Sequence, residues 1–119
     1  MLKRAAHIKV TSGGSEARFD WGGFDGDDCF SDFHVTVLAE GNSRRFDFGP
    51  CAGFGLRKLS RFFRDTTQAE AGLGFRYPDI RYCDIHRLGD EYRLVIRFEG
   101  SGLFEEFCIR QPVVHIQEE

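Results

Sequence analysis

Four cysteines (Cys29, Cys51, Cys83, Cys108) and four histidines (His7, His34, His86, His115) carry the most reactive chemistry in this 119-residue chain. They are numerous enough for a structural zinc site, and Cys83-Asp84-Ile85-His86 sets one pair at Cys-x-x-His spacing. Such sites are usually announced by two closely spaced ligand pairs. Here there is one, in a segment of strand composition, where an odd separation sends the two side chains to opposite faces. No metal site is expected from that spacing. Cys29 and His34 supply a thiol and a base, but nucleophilic catalysis needs the two held together, and no local signature holds them. Gly53-Phe54-Gly55 precedes a helical pattern, yet it lacks the Lys-Ser/Thr ending of a phosphate loop and the third glycine of a dinucleotide fingerprint. Asp25-Gly26-Asp27-Asp28 offers oxygen ligands without the alternating frame of a calcium loop, and reads as a solvated turn. The sequence therefore predicts no catalytic residue, no cofactor and no metal ligand.

The elements that would position these residues follow from periodicity. His7 to Thr11 has strand composition, Ser12-Gly13-Gly14-Ser15 is a turn cluster, and Glu16 to Phe19 returns. Asp20 to Asp28, with three glycines and four aspartates, reads as a loop. Phe33, Val35, Val37 and Ala39 alternate along the next strand. After the turn at Gly41-Asn42-Ser43, Phe46 and Phe48 point inward along the second arm of a hairpin. Gly49-Pro50 is expected to break that arm. Leu56, Leu59, Phe62 and Phe63 then recur at helical spacing between about Cys51 and Thr66, with Arg57, Lys58, Arg61 and Arg64 on the other side. A loop around Gly72 and Gly74 follows. Asp79–Leu88, Glu91–Glu99 and Leu103–Arg110 form a meander with turns at Gly89-Asp90 and Gly100-Ser101-Gly102, and Val113–Ile116 adds a short edge segment.

The expected fold class is α+β, in one domain spanning residues 1–119. A mostly antiparallel sheet of about six to seven strands carries one amphipathic helix on one face, in the order β-β-β-β-α-β-β-β. The thirteen phenylalanines supply its core.

Composition excludes several classes of function. A net charge of −3 argues against a dedicated nucleic-acid binder, which needs excess cations to displace counterions. No apolar run is long enough to cross a bilayer. Met1 to His7 has two positive charges with no apolar stretch behind them, so no secretory leader is expected and the chain reads as cytoplasmic, with its thiols free. Charge is segregated along the chain. Glu16–Asp32 holds six acids and one base, and Ser43–Arg64 holds six bases and one acid. Opposed segments of this kind either face each other or steer a charged partner.

His7-Ile8-Lys9-Val10, Phe33-His34-Val35-Thr36-Val37, the helical Gly55-Leu56-Arg57-Lys58-Leu59-Ser60-Arg61-Phe62-Phe63 and the closing meander from Tyr82 to Arg110 are the segments by which the chain resembles a group of small bacterial proteins. These are related to the immunity proteins of polymorphic toxins. The family pattern carries Trp near the end of the helix, whereas the one Trp here is Trp21. The resemblance implies a non-enzymatic protein-binding module that occludes a toxin or another protein. Trp21, Phe24, Asp25, Asp27 and Asp28 are the expected contacts, as aromatic anchors in an acidic rim. A homodimer paired through an edge strand or the Phe-rich sheet face is the first alternative. An enzyme whose site assembles from distant strands is the second.

Overall fold

Inward rows of every second strand residue, such as Ala17, Phe19 and Trp21 or Ala71, Leu73 and Phe75, build the core. The computed structural model describes residues 5–76 and 79–118; Met1–Arg4, read above for a leader, lie outside them. The elements are β1 (Ala6–Ser12), β2 (Ser15–Phe24), β3 (Cys29–Ala39), β4 (Asn42–Ala52), α1 (Gly53–Arg64), β5 (Glu70–Phe75), β6 (Arg81–Leu88), β7 (Glu91–Phe98), β8 (Leu103–Arg110) and β9 (Val113–Glu118). The fold is α+β with one helix among the described residues, and every strand pairing is antiparallel.

The strands form two sheets, not the single sheet expected. One has the order β4-β3-β2-β1-β9 and the other β5-β6-β7-β8. Walking along β4 crosses the second sheet strand by strand. Arg44 meets Glu105 on β8, and Phe46 meets Phe107 on β8 and Phe98 on β7. The Asp47 carbonyl accepts from Arg81 on β6, and Phe48 reaches Phe75 on β5. The two sheets therefore cross steeply, each covering the inner face of the other. The helix closes the remaining corner instead of lying across a sheet. Phe63 packs on Phe19 of β2, Phe62 and Phe63 both pack on Tyr92 of β7, and Gly55 lies against Leu73 of β5.

Three boundaries differ from expectation, each for a local reason. The strand expected to end at Phe19 runs on to Phe24, because Ala17, Phe19 and Trp21 continue one inward row and Phe24 pairs with Phe30. The strand expected to stop at Gly49-Pro50 runs to Ala52. β4 is an edge strand, where a proline without an N–H costs little, and Gly49 takes the positive φ of 83° that the kink needs. The glycine-rich segment after the helix is β5 rather than a loop. Ala71, Leu73 and Phe75 point inward while Gly72 and Gly74 occupy the outer positions.

The hairpin turn between β3 and β4 has positive φ at both Glu40 and Gly41, the backbone of a type I′ turn. Val113–Glu118 pairs with β1, so the short edge segment is present.

The helix is finished at both ends by residues from elsewhere in the chain. Its N-cap, Ala52, has no side chain to offer and its first turn holds no acid. The Asp28 carbonyl accepts the Gly53 N–H at 2.7 Å, and the Asp28 carboxylate grips Arg57 through both oxygens at 3.0 and 2.8 Å. A negative group here also complements the helix dipole. At the other end Arg87 of β6 donates to the carbonyls of Phe62 (2.8 Å), Asp65 (3.2 Å) and Gln68.

Candidate functional site

The acidic segment expected to meet a partner is partly spent on the fold. Trp21 is 1% exposed and packs at a tilt against Phe33, ring centroids 4.8 Å apart, so it offers no surface for the expected contact. The period of β2 that carries Phe19 inward carries Trp21 inward two residues later. Its buried indole N–H has no hydrogen-bond partner among the described residues. Phe24 is half-buried against Phe30 at 5.2 Å. Asp25 turns its carboxylate back onto the Asp27 N–H at 2.8 Å, and Asp28 is committed to the helix. Asp25 and Asp27 remain exposed. The two oppositely charged segments thus meet at Asp28 and Arg57.

A second feature lies on the neighbouring side of the same helix. The end of β4, the first two turns of α1 and strand β5 enclose a cleft of about 420 Å³. Three sequence features open it. Gly55 lets the helix approach β5 closely: a side chain there would sit 2.7 Å from the Cys51 sulfur and 3.4 Å from Leu73. Gly72 and Gly74 add no side chain of their own, so only neighbours on β6, Asp84 and Tyr82, lie over them. β5 ends its sheet, pairing with β6 alone, so one backbone edge has no strand partner among the described residues. Phe54 stands at the mouth, 59% exposed, with the Lys58 ammonium 5.8 Å from its ring centre. Lys58 and Arg76 are the two cations in the lining.

The cleft continues past Lys58 and Gly72 into a polar extension of about 380 Å³, lined also by Glu70, Ala71, Asp84 and His86. Asp84 lies over Gly72, filling the place a side chain there would take. Burial pushes its carboxyl up, with His86, Arg97 and Lys58 opposing the rise. His86 holds Glu70 at 3.3 Å.

The thiols near the cleft are poorly suited to nucleophilic work. Burial pushes the Cys51 thiol up to about 11, which leaves it protonated near neutral pH, and pushes Cys83 up further. Cys83 is in the core while the outer face of β6 carries His86, so the Cys-x-x-His pair does diverge. All four cysteines are free.

The arrangement is thus an apolar trough with an open strand edge along one wall, an aromatic lip and two cations. It can take an extended chain by backbone pairing, an apolar side chain by burial and a carboxylate by charge. The sequence hides it because the glycines of its strand read as a loop. The residual signal was the small–large alternation Ala71-Gly72-Leu73-Gly74-Phe75, a strand with one bare face.

No family model, no curated protein and no solved structure matches the chain. No helix among the described residues is long and apolar enough to cross a membrane.

Proposed function

We propose that the chain is a non-enzymatic protein-binding module of the immunity-protein kind, and that its docking site is the cleft between α1 and β5. Its partner is another protein, a bacterial toxin in this reading. An extended segment of that partner adds to the open edge of β5. One apolar side chain of the segment rests against Phe54 and Leu73, and a carboxylate sits near Lys58 and Arg76. The observation that carries this reading is the coincidence, in one cleft, of a strand edge with no strand partner among the described residues, a 59%-exposed phenylalanine and two cations. The acidic loop serves in it as a rim, through Asp25 and Asp27, rather than as the anchor. Backbone pairing supplies affinity, while the aromatic and the cations supply choice of partner.

The test is capture of the partner by the tagged chain, with light scattering alongside and affinities measured for two variants. Phe54→Asp places a charge where an apolar contact is expected and should weaken capture by about 30-fold or more, the range of an interface hot spot. The double variant Asp25→Asn/Asp27→Asn should slow association only a few-fold, as rim charges do. The reverse pattern would return the contact to the acidic loop and refute the cleft. A mass of two chains with no foreign partner would favour the homodimer, for which the open edges of β5, β8, β4 and β9 supply surface.

A further inference from the structure

We propose a divalent metal site on the outer face of the five-stranded sheet, formed by Asp32, His34 and Asp47, with zinc or another first-row transition ion as its ligand. It is independent of the cleft. The strand register builds a row across that face: Asp47 lies opposite His34, His34 opposite Asp20, and Asp20 opposite His7. An irregularity in the β3–β4 pairing lets Phe30 and Phe33, three apart, both point inward, and leaves Asp32 beside His34 on the outside. One ligand atom from each of Asp32, His34 and Asp47 lies within 4.8 Å of the others.

The His34 ring faces a carboxylate at each nitrogen. Nδ1 is 3.1 Å from Asp32 Oδ2, and Nε2 is 3.5 Å from Asp20 Oδ2. A neutral imidazole carries one N–H and can satisfy one of these. With its proton on Nδ1 the ring donates to Asp32 at 3.1 Å; with the proton on Nε2, toward Asp20, the Nδ1 lone pair faces the Asp32 carboxylate and can share a cation with it. A proton on Nδ1 and a shared cation are thus the two ways to join the ring to Asp32. The third donor separates the two cases, because a proton bridges a pair of atoms whereas a metal ion gathers three. Zinc bonds to nitrogen and oxygen measure about 2.0–2.2 Å, so donor atoms at tetrahedral angles on one ion lie roughly 3.3–3.6 Å apart. Gathering the three donors, which lie within 4.8 Å of one another, onto one ion needs side-chain rotation that shortens their separations by up to about 1.5 Å.

The surrounding groups support this assignment. Asp20 stands where a carboxylate orients a metal-binding histidine, fixing its tautomer from the far nitrogen. Arg18 holds Asp20 at 2.9 Å and Arg45 holds Asp47 through Oδ1 at 2.8 Å, which restrains both carboxylates. The His34 side chain is 16% exposed, placing its ring against the sheet with the solvent side open. One imidazole and two carboxylates suit zinc, manganese or iron(II) better than the all-oxygen preference of calcium. The two ligand carboxylates match the charge of a divalent ion, and the remaining coordination positions face solvent.

Calorimetric titration of the full chain with zinc chloride, together with the visible spectrum of the cobalt(II) form, tests the site. One equivalent is expected, with affinity lowered at least tenfold by His34→Gln and by Asp47→Asn. Asp20→Asn should cost about 10–100-fold through the ring's orientation, and His115→Ala should change nothing. Circular dichroism of each variant separates lost binding from lost fold. Absence of saturable zinc binding would overturn the proposal. So would one equivalent that survives His34→Gln in a folded protein, or a His34 ring whose NMR signals do not move on adding zinc.

Discussion

Replacing Phe33 by alanine is expected to destabilise the protein by about 3–5 kcal/mol, the largest effect of any single truncation considered. Phe33 is fully buried where the two sheets cross. Its ring meets Trp21 at 4.8 Å, Phe48 at 5.4 Å and Phe75 at 5.7 Å, so one side chain joins β2, β3, β4 and β5. Removing it leaves a cavity walled by rigid rings that cannot collapse inward, and cavity and transfer terms then add. Against a typical total of about 5–15 kcal/mol, that is enough to populate the unfolded state. Thermal melting checks it, with a fall of roughly 10–20 °C expected at about 4 °C per kcal/mol. Phe33→Leu, which keeps most of the volume, should recover more than half of the loss. A Phe33→Ala protein melting within 3 or 4 °C of the parent, roughly 1 kcal/mol, would contradict the steep sheet-on-sheet core.

Arg87→Ala is expected to cost about 2–4 kcal/mol, although Arg87 lies outside the apolar core. Its guanidinium ties three carbonyls at the end of α1 and beyond it, and it lies over the rings of Phe62 at 4.4 Å and Tyr92 at 5.4 Å. Truncation leaves carbonyls at the helix C-terminus without their donor and uncovers both rings. Charge alone does not restore this. Lysine is a point charge on a flexible stem and cannot bridge three acceptors in a plane, so Arg87→Lys should recover less than half of the loss. Urea melts of the parent and both variants measure it. Equal stability of Arg87→Lys and the parent would show that the helix end needs a positive charge and no fork.

How much of this was legible in the sequence depends on what each element's residues had to do. The α1 stripe was readable because Leu56, Leu59, Phe62 and Phe63 all face one core, and all four are buried. The β3–β4 and β6–β7–β8 hairpins were readable because alternation and turn residues agree. β5 was not, because its outer face is glycine, and glycine reads as a turn whether it bends the chain or merely bares it. The two-sheet division was equally hidden. Alternation tells a strand that one side is buried, but not whether a helix or a second sheet covers it. That error propagated to the site. With one sheet and a helix on its face there is no corner, hence no cleft at Phe54, Lys58 and Leu73.

Trp21 shows the converse. Beside Gly22 and Gly23 it reads as a loop anchor, yet its parity with Phe19 places it in the core. Asp25, Asp27 and Asp28 lie in a bend, as their composition implies, but the contact between Asp28 and Arg57 spans 29 positions and has no local mark. The outer-face group of Asp32, His34 and Asp47 likewise depends on pairing two strands in one register. No spacing rule for metal ligands within a single segment reports it.

The central claim is that a partner is held along β5 and the first turns of α1. Amide hydrogen exchange on the chain alone and on its complex with the captured protein tests it most directly. Strand addition protects backbone amides, so slowed exchange is expected across residues 70–76 and 50–58, with the acidic turn at 24–28 little changed. Protection confined to 24–28, with β5 exchanging as fast in the complex as without it, would contradict the cleft as the docking site.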